Sequence, residues 1–83
     1  MILKRKYLII KLMSKYSFGK FLKEKRMLFN LSLNKFSVIA DVDSAIISRI
    51  ENGKQDVKLN VLYKIAKAFN LSASELLAEF ENK

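Results

Sequence analysis

The chain has no cysteine, no histidine and no proline, and only two glycines among its 83 residues. Without cysteine there is no disulfide staple. Without cysteine and histidine the usual zinc ligands are gone, and so are nucleophile and general-base schemes built on those side chains. Serines are plentiful, but they lack the imidazole that most often activates them. A serine-lysine arrangement cannot be singled out among the many lysines. An ordinary hydrolase or transferase is thus poorly supplied with chemistry, and the expectation is a binding protein, not an enzyme, with no metal and no cofactor. No stretch reaches the roughly eighteen apolar residues of a membrane span. Met1 to Met13 imitates a signal peptide, with a basic start and then Tyr7-Leu8-Ile9-Ile10, but Lys11 breaks the apolar run and no small-residue cleavage site follows. The expected location is therefore the cytoplasm, without a membrane partner.

What is present suits one small domain: 51% of the residues are apolar, in a chain close to the size below which folding needs help from a staple, a metal or a partner. The formal net charge of +8 favours a polyanionic partner. Its distribution is uneven. Residues 1–16 carry Lys4, Arg5, Lys6, Lys11 and Lys15 and no acidic side chain, which leaves +3 for residues 17–83.

Apolar spacing and capping residues predict five short helices and no strand. Ser17 is the expected cap of a helix over 18–29, with Phe18, Phe21, Leu22, Lys25 and Phe29 at helical spacing and Asn30 ending it in a left-handed conformation. Ser32 caps a second helix over 33–40, and Asp43 a third over 44–52, with Asp41-Val42-Asp43 as the turn between them and Gly53 as the stop. A fourth helix over 59–69 buries Leu59, Leu62, Ile65, Ala66 and Phe69 and ends at Asn70. Ser72 and Glu75 then match a capping box that opens a fifth, through Phe80.

Within this pattern, Leu31 to Lys54 is the segment that carries function. At Leu31, Ser32, Phe36, Ala40, Val42, Ile47, Ser48, Arg49, Ile50, Glu51, Gly53 and Lys54 it resembles, in one ungapped register, the helix-turn-helix of Cro/CI-type phage repressors and of the xenobiotic-response-element family of bacterial regulators. The resemblance runs from Phe18 to about Phe80. It implies an all-α, compact five-helix bundle of the lambda-repressor-like DNA-binding type over residues 17–83, preceded by a basic N-terminal arm or extension, residues 1–16. It also implies a sequence-specific, double-stranded DNA-binding transcriptional regulator that reads the major groove with its third helix. Such a protein is a small homodimeric repressor of phage, restriction-modification controller or antitoxin type, with a toxin or other protein as a possible partner.

The third helix divides into two faces. Ile47 and Ile50, with Val42 before them, form the inward stripe, and Ser44, Ala45, Ser48, Arg49 and Asn52 fall opposite. Ser44, Ala45, Ser48 and Arg49 are the candidate base contacts. Arg49 leads them, because a planar guanidinium can bond both O6 and N7 of guanine. Candidate phosphate contacts are Ser32, Leu33 and Asn34 at the start of the second helix and Asn52, Lys54, Gln55 and Lys58 after the third. Arg26 and Glu51 occupy positions that resemble the family's internal ion pair, and Leu76, Leu77 and Phe80 on the fifth helix are the candidate dimer contact.

Leu33 stands where the family usually has glutamine, and Asp41 where it usually has glycine. Val38, Ile39 and Ile46 make the exterior unusually apolar. These departures carry the alternative, a protein-interaction module on the same scaffold with weakened DNA binding. A third reading is a basic membrane-surface segment, since residues 4–15 interleave basic and apolar side chains. Residues 1–12 also read as an upstream extension before Met13, as a groove-contacting arm or as a dimer-stabilising segment.

Overall fold

The computed structural model describes residues 17–82, and these form five helices with no strand among them. Helix α1 covers residues 17–28, α2 Leu33–Ala40, α3 Ser44–Glu51, α4 Leu59–Ala68 and α5 Ala73–Glu81. This is the all-α, five-helix bundle that the sequence implied. The basic arm lies outside the described residues. Ser17 is not the cap it was expected to be: it is already helical, whereas an N-cap residue has extended backbone. Asn52 and Phe69, expected as terminal helical residues, fall just beyond α3 and α4.

A chain with two glycines and no proline must turn by other means. Four of its helices end in the same hydrogen-bonded reversal, each with one residue in the left-handed region: Asn30 (φ 55°), Asp41 (φ 56°), Gly53 (φ 69°) and Asn70 (φ 60°). At α1 the Asn30 N–H donates to the Met27 carbonyl (2.9 Å) and the Leu31 N–H to the Arg26 carbonyl (3.1 Å). The other three repeat this pairing one for one, which satisfies carbonyls that a helix C-terminus otherwise leaves open. Asparagine and aspartate serve because their short polar side chains tolerate the left-handed conformation best among residues with a Cβ.

These reversals send each helix back across a core that every element supplies. Phe36, Leu22, Ile47, Ile50, Ile65 and Leu76 are the largest fully buried side chains. Burying one such group stabilises by about 1.5–3 kcal/mol relative to leaving it in water. Phe36 of α2 stacks on Phe69 after α4, with ring centroids 5.0 Å apart. Phe80 of α5 meets Phe18 of α1 edge-on at 5.3 Å. The Lys25 ammonium joins three elements, donating to Glu79 Oε1 (2.6 Å) while lying 5.2 Å from the Phe69 ring centre. Among the described residues no helix is long and apolar enough to cross a membrane.

Candidate nucleic-acid interface

The candidate interface is α2, the turn at 41–43, and α3. Both helices start on side-chain caps: Ser32 Oγ accepts from the Lys35 N–H (3.1 Å), and Asp43 Oδ1 from the Ala45 N–H (2.8 Å). The turn is held from two sides. Ser37 Oγ donates to the Val42 carbonyl at 2.6 Å, and Lys64 Nζ reaches across from α4 to the Asp41 carbonyl at 3.1 Å. Neither contact was visible in the sequence. Ser37 is five residues from its acceptor across the end of α2, and nothing local links residue 64 to residue 41.

On α3 the inward stripe is complete, with Ile47 and Ile50 wholly inside and Val42 buried ahead of them. The opposite face carries the candidate base contacts. Ala45 and Arg49 are exposed, and Ser44 and Ser48 are half-buried. Asn52 Nδ2 donates to the Ser48 carbonyl (2.8 Å), with Ser48 Oγ at 3.4 Å, which engages the asparagine within the protein surface. Arg49 Nε donates to Gln55 Oε1 at 2.7 Å.

The far end of α3 is fixed to α1. Arg26 Nε and Nη2 donate to the two carboxylate oxygens of Glu51 (2.7 and 3.0 Å), and Nη1 donates to the Leu31 carbonyl (2.7 Å). Both side chains are almost wholly buried. The hydrogen bond to Glu51, reinforced by its charge, raises the Arg26 pKa against the opposing effect of burial, so the guanidinium stays charged. A bidentate pair fixes direction as well as distance, and here it ties α1 to the last residue of α3.

The phosphate candidates divide between backbone and side chain. At the start of α2 the N–H groups of Leu33 and Asn34 take no partner among the described hydrogen bonds, as expected of a first helical turn. The Leu33 side chain is half-buried against the core, so what it offers a phosphate is its backbone N–H. Asn52, Lys54 and Lys58 are exposed on the loop leaving α3, whereas Gln55 is half-buried and has its carbonyl oxygen occupied by Arg49. Among the described residues there is no group of acidic side chains that could hold a metal ion.

One part of the dimer expectation is corrected. Leu76 is fully buried and cannot face a second subunit. The capping box at Ser72 starts α5 at Ala73, and the crossing of α5 over the bundle then turns position 76 inward. Leu77 and Phe80 are half-buried, and the Phe80 ring is already packed on Phe18 and Phe21. The apolar exterior noted on α2 is real: Val38 is 80% and Ile39 54% exposed.

Comparison with known proteins agrees with this geometry. A family model described as Helix-turn-helix matches residues 22–76. The control protein C.MunI from a Mycoplasma species is 37% identical over 70 residues, which span 83% of this chain and 95% of that protein. Among solved structures, the restriction-modification controller protein C.AhdI from Aeromonas hydrophila has a TM-score of 0.72 at 26% identity, covering 77% of this chain and 97% of its own. The clp gene regulator ClgR from Corynebacterium glutamicum has a TM-score of 0.70 at 20% identity, over 82% of this chain and 72% of its own, a likeness of fold alone.

Proposed function

This chain belongs to the Cro/CI-type helix-turn-helix family, and on that premise we propose that it is a DNA-binding transcription regulator of the restriction-modification controller type, acting in the cytoplasm and without enzymatic activity. The observation that carries the reading is the division of α3. Its inner face is sealed by Ile47 and Ile50, its end is held by the Arg26–Glu51 pair, and its outer face offers Ser44, Ala45, Ser48 and Arg49. A helix fixed on one side and polar on the other is what a major groove accepts. Arg49 reads a base edge, and the N-terminal N–H groups of α2, with Lys54 and Lys58, set register on the phosphates.

One such helix covers only a few base pairs, so the working unit is a two-fold homodimer on half-sites about 34 Å apart. Leu77, half-buried on α5, is the remaining dimer candidate beside the edge of Phe80. Selection of bound sites from a random duplex library tests these points together. The expected product is an inverted repeat with half-sites one helical turn apart. Enrichment of no site, or of single half-sites bound by a monomer in sedimentation, refutes the reading.

A second reading, a protein-docking role for α2, is favoured by Val38 and Ile39 alone. It predicts that Val38→Lys leaves duplex binding intact while abolishing regulation of the bound promoter in a transcription assay.

A further inference from the structure

We infer that Gln55 is a positioning residue for base recognition: it holds the Arg49 guanidinium in one orientation before DNA arrives. The inference rests on the reading of α3 given above and adds to it. Arg49 is exposed, and a free arginine in that place would sample many rotamers. It is not free, because its Nε–H donates to Gln55 Oε1 at 2.7 Å. Gln55 is half-buried and thus the less mobile partner.

The contact exists because of the reversal that ends α3. Gly53 takes φ 69°, its N–H donates to the Ile50 carbonyl (3.1 Å), and the Lys54 N–H donates to the carbonyl of Arg49 itself (2.8 Å). The loop therefore folds back along the last turn of α3 and returns residue 55 to residue 49. With Nε occupied, the guanidinium retains the N–H groups of Nη1 and Nη2, and no described hydrogen bond uses them. An end-on fork of two Nη donors matches the O6 and N7 acceptors of guanine. The ordering entropy of the side chain is then met during folding, not on binding, which is how preorganisation raises affinity. A glutamine serving only as a phosphate contact would act on every sequence alike. A glutamine that positions Arg49 acts on discrimination.

The test uses the full chain, the highest-affinity duplex from a random-library selection and a scrambled duplex of equal length. Gln55→Ala should weaken the selected duplex about three- to tenfold more than the scrambled one. It should also shrink the penalty for replacing the contacted guanine. In the Arg49→Ala background this extra loss should vanish, because the cycle isolates the coupling between the two residues. Gln55→Glu retains an acceptor for Nε, so it should weaken both duplexes through its charge yet keep the guanine preference. In the wild-type protein without DNA, the Arg49 Nε–Hε group should show restricted motion by NMR relaxation, independently of whether any variant folds. Equal losses on both duplexes for Gln55→Ala, an additive cycle, or an Arg49 Nε–Hε as mobile as a solvated arginine overturns the proposal and leaves the reading of α3 standing. A selection that enriches no site overturns both.

Discussion

Gly19 of α1 is packed directly onto the carbonyl of Ile50 at the end of α3. A Cβ at position 19 would overlap that oxygen and would lie 2.9 Å from the carbonyl oxygen of Glu51. Glycine inside a helix ordinarily lowers stability by about 1 kcal/mol relative to alanine. Here the missing side chain is what lets α1 approach α3, about two turns before the chain places Arg26 against Glu51. Two contacts, one steric and one ionic, thus set how α1 and α3 lie together.

Gly19→Ala is therefore expected to destabilise in spite of alanine's better helix propensity. The obstacle is backbone, which yields less readily than a side chain, and overpacking of this kind costs about 1–3 kcal/mol. Urea denaturation should show a lower midpoint with an unchanged slope. An unchanged or raised midpoint would mean that α1 slides on α3 without penalty.

Glu51→Ala leaves the Arg26 guanidinium buried without its carboxylate, and the expected loss is about 3–5 kcal/mol. Replacing both partners with apolar residues, Arg26→Met with Glu51→Leu, removes the stranded charge. The double variant should recover much of that loss in the same denaturation experiment. A double variant no better than Glu51→Ala would show that the pair stabilises through more than the avoidance of an unpaired charge.

The capping box of α5 predicts a pH dependence. The Ser72 N–H donates to Glu75 Oε1 at 2.8 Å, and Ser72 Oγ accepts from the Glu75 N–H at 3.1 Å. Hydrogen bonding by the Ser72 N–H first, and by the Ser72 hydroxyl second, holds the Glu75 carboxyl below its usual value in the folded state. A depressed folded-state pKa contributes stability that is full above the unfolded value and is lost as pH falls through the folded one. Thermal melts carried from neutral pH down through the carboxylate range should show Glu75→Gln with a shallower decline than wild type. Parallel declines would remove Glu75 from the acid sensitivity.

For DNA binding, Arg49→Ala should lower affinity for the selected site by about 1–3 kcal/mol while changing scrambled-duplex binding much less. Lys54→Ala should weaken both and reduce the slope of log affinity against log salt by about one. Fluorescence anisotropy titrations at several salt concentrations separate these effects. Equal losses on the two duplexes for Arg49→Ala would place its guanidinium on phosphate.

The helices, and their ends apart from the start of α1 and single residues at the ends of α3 and α4, were legible because their causes are local. Ser32, Asp43 and the Ser72–Glu75 box bond to N–H groups two or three residues away, and Asn30, Asn70 and Gly53 reverse the chain within a single turn. The buried stripe of α3 was equally legible, since Ile47 and Ile50 repeat at a helical interval that survives any packing. The Arg26–Glu51 contact came from resemblance, not from spacing. What only the tertiary structure decided depends on how the helices cross. Leu76 faces inward and Leu77 partly outward because α5 lies at one angle over the bundle, and both leucines read alike in sequence. Lys64 finds Asp41 across 23 residues, and Gly19 meets Ile50 only once α1 and α3 are in place. Gln55 reaches Arg49 because a left-handed glycine folds the loop back onto its own helix. A cap is determined by the few residues around it, whereas a contact between elements is selected by the whole core through the side chains that fill it and the closest approach they permit.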